Sequence, residues 1–381
     1  MRPDNVGFAI VTAGYLAATT AESLLAPVFP QAGRDLGMGT GAAGATFAIL
    51  AVGIAVGALA GGYVLARSGP RTGLWTSLGL VVAGTALAAA ADGPATFVVA
   101  QVVLGCGSGL FFASGIRSAA LLAGDRRRGL AMALFGVAFS GGLALAGGLA
   151  ALGTVWGWRT SFVASASLAA AAAGALALVH LPTQSAPARR EARRIPLRAA
   201  LAAPLRVGSV AAVSQYGTVA FVPLFAVHAW DLSPATAALL LTAARIASVP
   251  AKLLSGNASD GLGAMRIARR LGILLALLGA WWTIVPGASA AAWAAVVFAA
   301  FVSGLAPVAN VLALENFEEH AELLGAFRSA QIGFGAAASA LLGAGASLFG
   351  LRASLIVAAV VVPATLASFR QAGAAAPSTP S

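Results

Sequence analysis

Gly62-Tyr63-Val64-Leu65-Ala66-Arg67-Ser68-Gly69-Pro70-Arg71 decides the fold, because it occurs twice. The second copy is Gly256-Asn257-Ala258-Ser259-Asp260-Gly261-Leu262-Gly263-Ala264-Met265-Arg266. Each copy sits between two long apolar segments. Glycine suits a tight helix exit because it adopts positive φ without a Cβ clash. The Gly69-Pro70 pair stops a helix from running on. Other pairs keep the same register. Trp156-Gly157-Trp158-Arg159-Thr160-Ser161-Phe162 echoes Phe349-Gly350-Leu351-Arg352-Ala353-Ser354-Leu355, and Gly109-Leu110 echoes Gly304-Leu305. The offset stays at ~194 residues, which is how an internal duplication reads.

Composition gives the solvent. The 381 residues are 59% hydrophobic and 9% charged, with mean hydropathy +0.90. A soluble domain carries about 25% charged residues, so this chain could not cover its own surface in water. It reads as an all-α integral membrane protein. At about 20 apolar residues per span, its length accommodates roughly twelve spans. The net charge of +11 comes from arginines gathered in alternate loops, as the positive-inside rule requires, so no nucleic acid is implied. Lys252 is the only lysine. Cys106 falls in an apolar span and reads as a small packing residue. Arg2 and the apolar run after it resemble a signal peptide, but Glu22 interrupts the run, so it reads as a retained first helix.

The duplicated loop resembles the signature of the major facilitator superfamily, G-x-L-x-D-R-x-G-R-K, found between the second and third helices and again between the eighth and ninth. In the first copy Gly62, Arg67, Gly69 and Arg71 match, and Ala66 stands where the family has its acid. In the second, Gly256, Asp260 and Gly263 match, and Gly261 replaces the base. The Gly157-to-Phe162 entry to span six and the proline-rich end of span one, followed by Asp35-Leu36-Gly37, are also similar to the family. The resemblance implies two pseudo-symmetric six-helix bundles: residues 1–181, a linker at 182–200, residues 201–370, and a disordered tail at 371–381. It makes Gly62, Arg67, Gly69, Arg71, Gly256 and Asp260 the conformational loop. It implies that spans three, six, nine and twelve face lipid, while one, four, seven and ten line a cavity.

The expected spans are 6–29, 41–65, 72–91, 95–122, 130–155, 157–180, 207–230, 234–254, 270–285, 291–313, 323–349 and 352–369. Arg67, Arg71, Arg126 to Arg128, the linker arginines, Arg266, Arg269, Arg270 and Arg370 share one side, which places both termini in the cytoplasm. Glu318, Glu319, His320 and Glu322 lie on that side too. They read as partners for its arginines when the inner side closes, or as a solvated acidic loop.

An ionisable group in hydrocarbon costs roughly 2.5–3.5 kcal/mol, so each one invites a functional reading. Arg245 lies ~15 Å into span eight, near the midplane. Its fork of donors suits a substrate carboxylate or phosphate, or a structural bridge to one carboxylate. Glu22, in the outer third of span one, reads as a proton-coupling or cation-binding group, or as a packed ion-pair partner. Lys252 and Arg117 lie in inner thirds, where long side chains snorkel, and Glu315 lies at the inner end of span ten. Gln101, Gln215, Tyr216, Asn310 and Gln331 are polar groups inside spans and read as chamber-lining, with Gln215, Asn310 and Gln331 alternatively glue between helices. Gln101 stands where family members often carry a span-four arginine, and span five lacks the exporters' Gly-Pro pair. The glycines of spans four and five read as sites of close helix approach. Trp281 and Trp282 read as lipid-facing.

The expected function is secondary active transport of a small organic solute across the cytoplasmic membrane by alternating access, with protons as the coupling ion. Metabolite or drug efflux leads. Organic-anion movement through Arg245 and a non-transporting sensor are the alternatives. No phosphate-binding loop is present, and His180, His228 and His320 have neither metal-ligand nor triad spacing, so no cofactor, metal or catalytic residue is expected. The partners expected are the small-molecule substrate, protons and the lipid bilayer, with the chain a monomer.

Overall fold

The computed structural model describes residues 3–38, 40–124, 127–178, 197–232, 234–285, 288–317, 320 and 322–368. Most of the linker, the tail, Arg126, Glu318 and Glu319 lie outside them. The first half comprises α1 (Pro3–Ser23), α2 (Leu25–Asp35), α3 (Thr40–Ala89), α4 (Pro94–Ala123), α5 (Arg128–Trp156) and α6 (Trp158–Leu176). The second comprises α7 (Leu197–Ala212), a π-helical turn at Val213–Thr218, a short 3-10 turn at Val219–Phe221 and α8 (Val222–Trp230). There follow α9 (Pro234–Leu262), α10 (Ala264–Ile284), α11 (Ala288–Asn316), α12 (Glu322–Phe349), α13 (Leu351–Ile356), a second π turn at Val357–Val361, and α14 (Val362–Ala367). No strand occurs among the described residues.

Followed end to end, these helices make six crossings per half. Many are individually apolar and long enough to span a bilayer, such as Pro94–Ala123 and Ser289–Asn316. Side chains such as Leu277 and Val361 stand exposed on the periphery, as hydrocarbon requires. The chain is a multi-pass, all-helical membrane protein of two six-helix bundles.

Proline sets the breaks. Pro27 cannot donate to the carbonyl of Ser23, and α1 ends at Ser23. The helix resumes as α2 and carries Pro27 and Pro30 within it, while the apolar span itself runs from Asn5 to Phe29, as expected. Pro223 and Pro363 follow the two π turns, where a missing N–H leaves the ladder room to widen. Gly69, at φ 78, breaks α3 between its two crossings. Gly263, at φ 87, separates α9 from α10. The second copy of the loop differs from expectation: Gly256 through Leu262 continue α9 as helix. Asp260 therefore has a fixed direction in space.

Two side chains depart from their expected surroundings. Trp282 is wholly buried, enclosed by Phe225, Trp230 and Phe298, with ring centroids 5.4, 6.3 and 5.9 Å away. Only Trp281 faces outward, at 53% exposure. Adjacent helix positions point about 100° apart, so a Trp-Trp pair cannot share one face. Lys252 does not snorkel either; it is 5% exposed and held between the two halves.

Candidate functional site

Polar groups from both halves meet where the bundles face each other. On α4, Gln101, Ser108 and Phe112 follow a helical repeat and share a face. Ser108 donates its hydroxyl hydrogen to the carboxylate of Glu22 on α1. Facing them across the midline is α12, whose Arg328, Gln331 and Gly335 form another shared face. The Arg328 guanidinium sits 4.8 Å from the centre of the Phe112 ring, a cation–π contact between the halves. Its Nη1 donates to Gln331 Oε1 at 3.5 Å. Tyr15, Tyr216 and Glu22 all lie within its electrostatic reach.

The π turn brings in Gln215 and Tyr216. Tyr216 packs against Gly335, where an added Cβ would lie 2.5 Å from the phenol ring. Gln215, Tyr216, Arg245 and Ser303 line a cavity of about 330 Å³. Ser303 donates to Gln215 Oε1 at 3.4 Å. One turn along α11, Pro307 has no N–H to give the Ser303 carbonyl. Tyr216 is thus the common wall between the Arg245 cavity and the Arg328–Glu22 cluster.

Beneath this cluster lies an aromatic floor. Tyr15 stacks on Phe135 with centroids 3.9 Å apart and planes 3° from parallel. Phe111 and Phe139 flank it at 5.8 and 6.2 Å.

Of the sequence candidates, Glu22, Gln215, Tyr216, Arg245 and Gln331 are therefore brought together. Gln101 shares the Ser108 face but is wholly buried, and neither end of its amide has a partner among the described residues. Asn310 is buried on α11, two turns from Ser303 towards the duplicated loop. Arg328 and Tyr15 were missed in the sequence. Arg328 drew no reading there, although its step of three to Gln331 was a visible signal. Tyr15 looks like any apolar-span aromatic.

Below the floor, at the end carrying the duplicated loop, the halves touch along two seams. In one, Gly62 and Ala58 of α3 meet Glu322 and Gly325 of α12 backbone to backbone, and Ser329 donates to the Ala55 carbonyl at 2.7 Å. In the other, Gly256 of α9 meets Gly129 of α5. Asp260 there accepts from the Gly129 and Leu130 N–H groups at 2.6 and 3.0 Å. An anion at a helix N-terminus satisfies orphan donors and opposes the helix dipole. Arg128 and Asp260 both lie within electrostatic range of Glu315. The first copy has no acid at the equivalent place; Arg67 instead bonds Tyr63 Oη at 2.8 Å on the exposed surface. Arg71 is exposed.

Two helical bundles with a polar cluster at their shared face, a cavity beside it in the second half and paired seams at one end have the architecture of a membrane carrier. Residues 11–229 match the family model for the Major Facilitator Superfamily. The chain belongs to this superfamily, whose members are transporters and not enzymes. No curated protein sequence matches it. Among solved structures it is similar to FucP in the outward conformation, with a TM-score of 0.79 at 14% identity over 96% of this chain and 99% of that one. FucP is the E. coli fucose:proton symporter. It is also similar to the proton:xylose symporter XylE, with a TM-score of 0.73 at 16% identity, covering 96% and 94% of the two chains. The human organic anion transporter MFSD10 (TETRAN) gives a TM-score of 0.72 at 16% identity, covering 96% and 100%. At such identities the likeness is one of fold.

Proposed function

We propose that the protein moves a small organic anion across the cytoplasmic membrane by alternating access, coupled to protons. The observation that carries this reading is the presence of two guanidinium groups on the second half: Arg328, within electrostatic reach of the single carboxyl Glu22 on the first half, and Arg245, which lines the neighbouring cavity. Guanidinium forks bind carboxylates with two parallel hydrogen bonds. A carboxyl group in a poorly hydrated chamber is suited to exchange a proton as access alternates. Gln215, Tyr216 and Gln331 would orient the substrate, and the Tyr15 floor would separate it from the seams. Two structural relatives being proton symporters, and a third an organic anion transporter, supports the reading. Both termini and the seams are assigned to the cytoplasmic side by the arginine-rich loops. Drug or metabolite efflux, which led on sequence, has less support, because the chamber holds more base than acid.

The test is flux into proteoliposomes under an imposed pH gradient, with organic carboxylates against organic ammonium ions as probes. Carboxylate flux that follows the gradient is expected, with Arg328→Ala lowering it at least roughly tenfold, the scale of one lost charged hydrogen bond. Equal flux of cations, or full flux by Arg328→Ala, overturns the assignment.

A further inference from the structure

One face of α9 carries Lys252, Gly256 and Asp260 in steps of four, so all three meet α5. Lys252 Nζ donates to the Gly136 carbonyl at 2.9 Å and to the Ser140 hydroxyl, both on the opposite half. The lysine stem lies alongside Gly136, its Cδ at ordinary contact distance from where a Cβ would stand. The α3–α12 seam has no counterpart. Ala58 occupies the position ~194 residues before Lys252, and its carbonyl meets Gly325. The two seams therefore share a backbone pattern but differ in chemistry.

An ammonium is strongly hydrated, and burying it is tolerable only while its donors are satisfied. Here both acceptors belong to the other bundle. Parting α5 from α9 takes both away, and the ammonium must then be rehydrated. No such demand arises when backbone-packed glycines separate. We propose that Lys252 is a latch that sets the equilibrium between the closed and open states of the seam end. Its bonds to Gly136 and Ser140 break and re-form once per transport cycle. The inference needs only that this end opens and closes. It does not depend on which substrate the chamber takes.

The test uses the full chain in lipid nanodiscs, without substrate. Spin labels go on Arg127→Cys and Leu262→Cys, exposed positions at the adjoining ends of α5 and α9, in a Cys106→Ser background. Electron paramagnetic resonance then gives the distance distribution. Lys252→Met, which keeps the stem and removes the donors, is expected to raise the ratio of long to short distances roughly tenfold, the scale of a charged hydrogen bond. Ser140→Ala, which leaves the lysine in place, should shift it the same way by less. A distribution unchanged by Lys252→Met overturns the latch, since a side chain that merely fills space would leave it so. Should Lys252→Met fail to fold, an unchanged distribution in Ser140→Ala overturns it equally. The reading of the chamber fails separately, by the carboxylate flux assay.

Discussion

Glu22 is held by a hydroxyl, Ser108, and the nearby base Arg328 lies on the other half of the molecule. That arrangement lets the carboxyl gain or lose a proton without dismantling the bundle that carries it. Glu22→Gln keeps the shape and removes the titration. It should abolish accumulation driven by a pH gradient while leaving substrate exchange across equilibrated membranes within about threefold of native, a modest change in a neutral hydrogen bond. Parallel uptake and counterflow measurements check this, and equal loss of both would show Glu22 to be needed for binding instead. Arg328 and Arg245 are separable in the same way. Arg328 touches Phe112 across the midline, whereas Arg245 lines its cavity within the second half. Arg245→Lys keeps the charge but loses the fork, so it should raise the half-saturating carboxylate concentration more than it lowers the maximal rate. Initial-rate kinetics in proteoliposomes read that split.

At the scale of the helix, the seams depend on what the glycines omit. Gly325 lies against the backbone of Ala58 and Gly62 so closely that any Cβ must push the helices apart. Gly325→Val should therefore disfavour the closed seam and raise thiol-reagent access to the chamber from the loop side. The capping contact of Asp260 on α5 is the polar counterpart. Asp260→Ala should weaken that seam by about 0.5–2 kcal/mol, the usual worth of a helix cap. The measurement is the same accessibility assay, with Asp260→Asn, which keeps an acceptor, lying between. Proline acts at this scale too. Pro223 and Pro363 follow the π turns, and the first of these turns is what places Gln215 and Tyr216 at the chamber.

For the whole molecule, alternating access requires both seams to part in each cycle. Ser329 of α12 reaches the backbone of Ala55 on α3 when the end is shut. Joining Ala55→Cys to Ser329→Cys with a short reversible thiol cross-linker, in a Cys106→Ser background, should stop net flux. Reductant should restore it. Flux that continues through the cross-linked protein would mean that this end need not open.

The duplication, the membrane solvent and the two-bundle architecture were legible in the chain, because each is written in local or periodic features. Gly69 and Gly263 break their helices by a positive φ that needs no distant partner, and an apolar run of span length has one stable home. The family resemblance rested on the same loops, and the match over residues 11–229 confirmed it. What the sequence could not supply was direction around each helix axis, measured against neighbours far away in the chain. Trp282 and Trp281 are identical and adjacent, yet one is enclosed by Phe225, Trp230 and Phe298 while the other is exposed. Lys252 reads as a snorkelling base until α5 is seen to put two acceptors in front of it. Arg328 drew no reading in the sequence and gains its setting only when Phe112, Tyr15 and Glu22 arrive from the other half. Hydropathy and spacing are properties of one helix and so can be read from its residues. A chamber is made by the faces several helices turn towards one another, and that is fixed only when side chains compete for the same space.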